Sequence, residues 1–140
     1  MAKSIDAQTL KSALREPGEI ALIDVRETGT YSQGHPLFAV PMAYSRLELD
    51  AERLLPRKSV RVVLLDDADG VAEKAARRLE GLGYSDVATL AGGAAGWKAA
   101  GYTLFEGVNV PSKAFGEIVE IARHTPRIKA RDLIEMQTRG

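Results

Sequence analysis

Cysteine is absent from the 140 residues of this chain. That single absence removes disulfides, thiolate-bound zinc, iron–sulfur clusters and thiol nucleophiles together. Histidine is scarce, with His35 and His124 as the 2 examples, too few for a histidine-rich metal site. No metal and no cofactor is expected. Charge of one sign is not in excess, because 19 Lys and Arg offset 19 Asp and Glu. A nucleic-acid binder would carry a basic surplus or a basic block, and neither is present, so no nucleic-acid partner is expected. No apolar run approaches the ~20 residues of a transmembrane helix. The opening Met1-Ala2-Lys3-Ser4-Ile5-Asp6 also lacks the apolar core of a secretory signal. A cytoplasmic location without a membrane partner is the expectation. What the chain does have is 45% hydrophobic and 27% charged residues, the balance of one folded domain.

The pattern along the chain alternates strands with helices. Asp6 is a candidate N-cap for an amphipathic helix, with Ala7, Leu10 and Leu14 at helical spacing and Pro17-Gly18 ending it. Ile20-Ala21-Leu22-Ile23 then runs apolar into Asp24-Val25-Arg26, as in a strand buried on both faces. Glu27 to Gln33 reads as a helical turn closed by Gly34, and a weak strand is expected at Phe38-Ala39-Val40. A short helix is expected over 47–55. Val60 to Leu65 is a second buried strand, followed by the turn Asp66-Asp67-Ala68-Asp69-Gly70. The next helix carries Ala72, Ala75, Ala76, Leu79 and Leu82 on one face and charges on the other, with Gly83 just past its end. Val87 to Leu90 is another strand, entering Ala91-Gly92-Gly93 and a short helix around Trp97. This alternation specifies α/β architecture with a parallel sheet.

From Glu106 the character changes. Pro111-Ser112 opens an amphipathic helix bearing Phe115, Ile118 and Ala122, and Thr125-Pro126 is expected to break it. Ile128-Lys129-Ala130-Arg131-Asp132-Leu133 then echoes Ile5-Asp6-Ala7-Gln8-Thr9-Leu10, with Gly140 near the place of Gly18. The echo implies that the chain reaches just into a second copy of the same module. The expected division is a domain over 1–105 and a helical extension over 106–140.

Several of these segments together resemble the rhodanese family of sulfurtransferases. The residues that carry the resemblance are Leu22-Ile23-Asp24-Val25-Arg26-Glu27, Tyr31, Gly34-His35, the helix with Ala75-Ala76, Gly81-x-Gly83-Tyr84, Val87, and Leu90-Ala91-Gly92-Gly93-x-x-Gly96-Trp97-x-x-Ala100-Gly101. The resemblance implies a rhodanese-like fold, a five-stranded parallel sheet flanked by helices on both faces. It also implies movement of a sulfane sulfur from a donor such as thiosulfate to a thiophilic acceptor. The family's nucleophile is a Cys, which opens a six-residue loop before a helix and becomes a persulfide.

Counted back from Ala75-Ala76, that position is Asp66, and the loop continues as Asp67, Ala68, Asp69, Gly70 and Val71. The usual loop Arg falls near Val71. A carboxylate forms no persulfide, and three acidic residues in the loop would repel an anionic donor. The expectation is therefore a vestigial loop with no catalytic residue, in which Asp66 accepts loop N–H groups and fills the anion cradle itself. Asp67 and Asp69 are expected to be solvated, helix-capping acids. Asp24, Arg26, His35, Gly92, Gly93 and Trp97 are expected to be structural. The resemblance implies a non-catalytic domain of a multi-domain thiosulfate sulfurtransferase, with an interdomain or scaffolding role. Its partners would be other rhodanese-like domains of the same polypeptide or a homo-oligomer. The segment from residue 106 would then be linker and first helix of a second repeat. Sulfur transfer that requires later, Cys-bearing domains is the enzyme alternative.

Asp67-Ala68-Asp69-Gly70-Val71 also resembles the first motif of the haloacid-dehalogenase phosphatases. That would make Asp67 a nucleophile and Asp69 an acid/base in a magnesium-dependent phosphatase. Against it, the motif does not follow the first strand, no later Asp-Asp pair follows, and the chain is short.

Overall fold

Three apolar runs and two short edge segments build the sheet. In this computed structural model, which describes residues 2–124 and 128–139, the elements run in the order β1 (Lys3–Ile5), α1 (Ala7–Ala13), β2 (Ile20–Asp24), α2 (Thr28–Gln33), β3 (Val40–Pro41), α3 (Leu47–Leu54), β4 (Arg61–Leu65), α4 (Val71–Gly81), β5 (Asp86–Leu90), α5 (Gly93–Ala99), α6 (Val110–Arg123) and α7 (Ala130–Thr138). The five strands are all parallel, in the order β1-β5-β4-β2-β3. Strand alternation sends side chains to two separate cores. Val62 and Leu64 of β4 pack with Leu47 and Ala51 of α3 and with Ala75 and Leu79 of α4. Val63 and Leu65 pack with Leu10 of α1, Tyr31 of α2, and Ala94 and Trp97 of α5. Helices therefore cover both faces, as the β-branched and Leu-rich strands require.

The chain leaves β2 and β4 in opposite directions. The two strands are neighbours in register, with Asp24 beside Leu65. After β2 the chain enters α2, which contributes Tyr31 to one core; after β4 it enters α4, which packs in the other. Adjacent strand ends that splay apart in this way leave a crevice at the carboxyl edge of a parallel sheet, the place where such sheets bind ligands.

Two elements depart from the sequence expectation. Lys3–Ile5 forms an edge strand paired with β5 through Lys3↔Ala88, Ser4↔Thr89 and Ile5↔Leu90. Three residues with one apolar side chain carry no period, so no strand was expected there. The third sheet strand is Val40–Pro41 rather than Phe38–Val40. The Ala39 amide closes a turn onto the Pro36 carbonyl at 3.0 Å, which leaves Phe38 59% exposed and outside the ladder.

The described chain forms two compact units, the first running to Val110 and the second beginning at Pro111. Residues 105–107 are fastened to the first unit. His35 and Phe105 exchange backbone hydrogen bonds at 3.0 and 2.7 Å, and the Gly107 amide donates to the Ser32 carbonyl at 2.7 Å. The second unit carries α6 and α7, on which Phe115, Ile118, Ile121 and Ile134 are exposed. α6 opens at Val110, one residue before the expected Pro111. The expected break at Thr125-Pro126 and the turn residue Gly140 lie outside the described residues. Among the described residues no helix is long and apolar enough to cross a membrane.

Candidate functional site

Asp66 follows the last residue of β4 and is only 4% exposed. Its Oδ1 accepts the Ala68 amide at 2.9 Å and its Oδ2 accepts the Ala72 amide at 3.0 Å. Ala72 lies in the first turn of α4, so the carboxylate bridges the loop and the open end of the helix. Amides there have no intrahelical partner and favour negative charge. The loop curls tightly: Ala68 has φ of 60° and Gly70 has φ of 87°. An L-residue in that region costs roughly 1–2 kcal/mol, and the Asp66 bond to the Ala68 amide helps offset it.

The loop rests on α5. The Asp66 carbonyl accepts the Ala94 amide at 2.9 Å. Gly93, at φ of 58°, sits so close beneath it that a Cβ would lie 2.2 Å from the Asp66 carbonyl oxygen. A Cβ on Gly92 would come within 3.1 Å of the Gly96 Cα. The Gly92-Gly93-x-x-Gly96 spacing is thus a packing device that seats the start of α5 under the loop. Trp97, further along α5, is 3% exposed and donates from its indole nitrogen to the Thr103 carbonyl at 3.1 Å.

Arg26 closes the crevice from the side of β2. Its Nη2 meets Asp24 Oδ2 at 2.7 Å and the Gly34 carbonyl at 2.7 Å, and its Nε meets Asp24 Oδ1 at 3.0 Å. Its Nη1 reaches Asp67 Oδ1 at 3.1 Å. Asp24 is fully buried, and burial pushes its carboxyl above the ordinary range against the downward pull of Arg26. Burial pulls the guanidinium of Arg26 downward, but Asp24 and Asp67 outweigh that and hold it above its usual value.

The two remaining loop acids behave differently from one another. Asp67 caps no helix, contrary to expectation. The Arg26 cation, 41 positions away, draws it across the crevice. Asp69 is exposed and accepts the Val71 amide at 3.3 Å, while Gly70 occupies the N-cap position without a side-chain cap. Val71 is half-buried and uncharged. Val71, Asp67, Asp69, Arg26, Glu27, Thr30 and Tyr44 line a cavity of about 260 Å³ beside the loop.

His35 is fully buried beneath this region. Its ring stacks on Tyr31 at 3.9 Å, its Nδ1 lies 2.8 Å from the Pro36 carbonyl and its Nε2 lies 2.8 Å from the Gly107 carbonyl. Both ring nitrogens are engaged by backbone carbonyls, so the ring pairs with no side-chain nucleophile. Among the described residues no three His, Asp or Glu side chains group as a metal ion would need.

The sequence brought Asp66, Arg26 and Asp24 to notice, but not the reach of Arg26 to Asp67. Nor did it find Thr30 and Tyr44 as walls of the cavity. The usable signal was topological, since loops after two adjacent, oppositely wound strands must face one another. Chemically, the site offers oxygen anions already bound to its own amides and to Arg26. It has no thiol, and its cavity lacks any cation other than an Arg held by two carboxylates.

Comparison with known proteins follows the same lines. A family model described as Rhodanese-like domain matches residues 6–100. Among solved structures, the thiosulfate sulfurtransferase from Pseudomonas aeruginosa is 46% identical, over 97% of this chain and 26% of that one, with a TM-score of 0.90. This chain thus spans about a quarter of that protein's length. The Alr3790 protein from Anabaena sp. is 31% identical over 79% of this chain and 99% of the solved one, with a TM-score of 0.69. The 3-mercaptopyruvate sulfotransferase SseA from Escherichia coli, at 22% identity, 76% of this chain, 52% of that one and a TM-score of 0.57, shares the fold. No curated protein matches.

Proposed function

This chain belongs to the rhodanese-like domain family, and on that premise we propose that it is a non-catalytic member, a domain that scaffolds a larger cytoplasmic thiosulfate sulfurtransferase. The observation that carries this reading is the carboxylate of Asp66 lying on the Ala68 and Ala72 amides. Sulfane transfer needs a thiolate at that point, because the thiolate attacks the donor sulfur and holds it as a persulfide. Carboxylate oxygen supports no such intermediate. It also satisfies the amides that would otherwise receive the anion. A thiosulfate approaching the loop meets Asp69 as well, and a like-charge pair at about 4 Å costs up to ~4 kcal/mol at an effective dielectric near 20.

The interdomain part of the proposal rests on length and on the echo. The P. aeruginosa thiosulfate sulfurtransferase is far longer than the segment this chain covers. α7 begins at Ala130, in the register at which α1 begins at Ala7. Sulfur chemistry in such a protein would reside in later, Cys-bearing domains.

The test is thiosulfate:cyanide transfer by the isolated chain. Thiocyanate formation should equal the protein-free background; turnover above it overturns the proposal. Asp66→Cys alone should remain within about tenfold of that background, because Asp69 still repels the donor and Val71 supplies no cation. The triple change Asp66→Cys, Asp69→Gly, Val71→Arg should exceed the single one by tenfold or more, on the same electrostatic grounds. Equal activity of single and triple variants would show that loop charge does not control the site.

A further inference from the structure

A groove on the first unit, separate from the Asp66–Val71 loop, has the composition of a ligand site. Phe38, Trp97, Tyr102 and Phe105 line it together with Lys11 and Arg15, and its volume is about 330 Å³. It shares no lining residue with the cavity beside the loop. Phe38 stands 59% exposed in the turn that precedes β3. The Trp97 and Tyr102 rings lie 4.7 Å apart, and Lys11 Nζ stands over both, 5.7 and 5.4 Å from their centroids. Both charged lining groups are cationic, and among the described residues neither has a carboxylate partner.

These features agree on one ligand chemistry. Aromatic walls favour a flat apolar body. A cation held against ring faces with no carboxylate beside it keeps its attraction for an anion. The volume falls at the small end of the roughly 300–1,000 Å³ of ligand pockets, enough for one ring system with a short acidic tail. We infer that this groove binds a small aromatic anion. The ring sits among Phe38, Tyr102 and Phe105, and the carboxylate or sulfonate meets Lys11 and Arg15. Trp97 forms part of the lining rather than a donor, since its N–H is already given to Thr103. The site owes nothing to the sulfur chemistry of the loop and stands whether or not the domain is catalytic.

The experiment is an amide-resolved NMR titration of the full chain with naphthoate, and with naphthyl methanol as the uncharged counterpart. Naphthoate should give saturable shifts centred on residues 11–15, 37–38 and 101–105. Lys11→Gln with Arg15→Gln should weaken naphthoate roughly tenfold, the effect of two exposed ion pairs, and leave naphthyl methanol unchanged. Phe38→Ser, at an exposed position that the fold does not need, should weaken both probes. Non-saturating shifts overturn the proposal, as do shifts centred on residues 115–121 or 66–71. Equal affinity for the two probes in the unmodified chain, or no effect of Phe38→Ser, overturns it too.

Discussion

Asp24 and Arg26 form the most enclosed charge pair described, with side chains 0% and 8% exposed. Removing one member of such a pair leaves the other charged and desolvated, at a cost of about 3–5 kcal/mol. Arg26→Ala should therefore destabilise strongly near neutral pH. The pH response follows from the direction of the Asp24 shift. Burial already raises its folded-state pKa above the unfolded value, and loss of Arg26 leaves burial unopposed. A carboxyl raised in the folded state is penalised above its folded pKa and relieved as pH falls through that pKa. Urea unfolding of Arg26→Ala should show a deficit against the parent chain that shrinks on going from about pH 7 to about pH 4.5. A deficit that stays constant would mean that Asp24 is not the group left behind. Asp67 also loses its partner in this variant, but it is half exposed, so water compensates it.

α1 and α7 offer a controlled comparison between elements, because similar residues stand at the same register in each. Leu10 of α1 is fully buried against the sheet, whereas Leu133 of α7 is 45% exposed. Leu10→Ala should cost roughly 2–5 kcal/mol, and Leu133→Ala no more than about 0.5 kcal/mol. Chemical denaturation of the two variants measures both; a large loss from Leu133→Ala would mean that α7 is packed in solution. The same pair shows what the sequence could and could not disclose. α1 was legible from its Asp6 cap and apolar spacing, and α7 from its echo of that spacing, since those are local properties. That one packs on the sheet and the other exposes its leucine was not, because burial depends on what the rest of the chain supplies. β4 and α4 were legible for a further reason: four apolar residues in a row and an alanine stripe each fit one element type. β1 was not, since Lys3-Ser4-Ile5 becomes a strand only where β5 offers an edge. Within the site, Asp66 was legible through its distance from Ala75-Ala76. That it accepts loop amides was expected as well; which two donate, and the Asp67–Arg26 contact, depend on the φ of Ala68 and on the crevice between β2 and β4, neither of which is a local property.

At the scale of the whole molecule, the question is where the stabilising core ends. Among the described residues, the two apolar clusters draw on Ala2 to Leu104 and on none beyond. The last fastenings to that core are the His35–Phe105 backbone pair, the Gly107 bonds and the buried Val110. Truncation at residue 104 would strip the Phe105 carbonyl from the His35 amide and the Gly107 carbonyl from its buried imidazole, at about 1–3 kcal/mol for each unsatisfied group. Truncation at residue 112 removes none of these. A chain ending at 112 should therefore unfold in one cooperative step with a midpoint within a few degrees of the full chain. One ending at 104 should fall by roughly 4–8 °C for each kcal/mol lost, the scaling for a domain of this size. Differential scanning calorimetry separates the two cases. If the chain ending at 112 melts as low as the one ending at 104, residues 113–140 contribute to the stability of the first unit, and its core extends past the boundary at Val110.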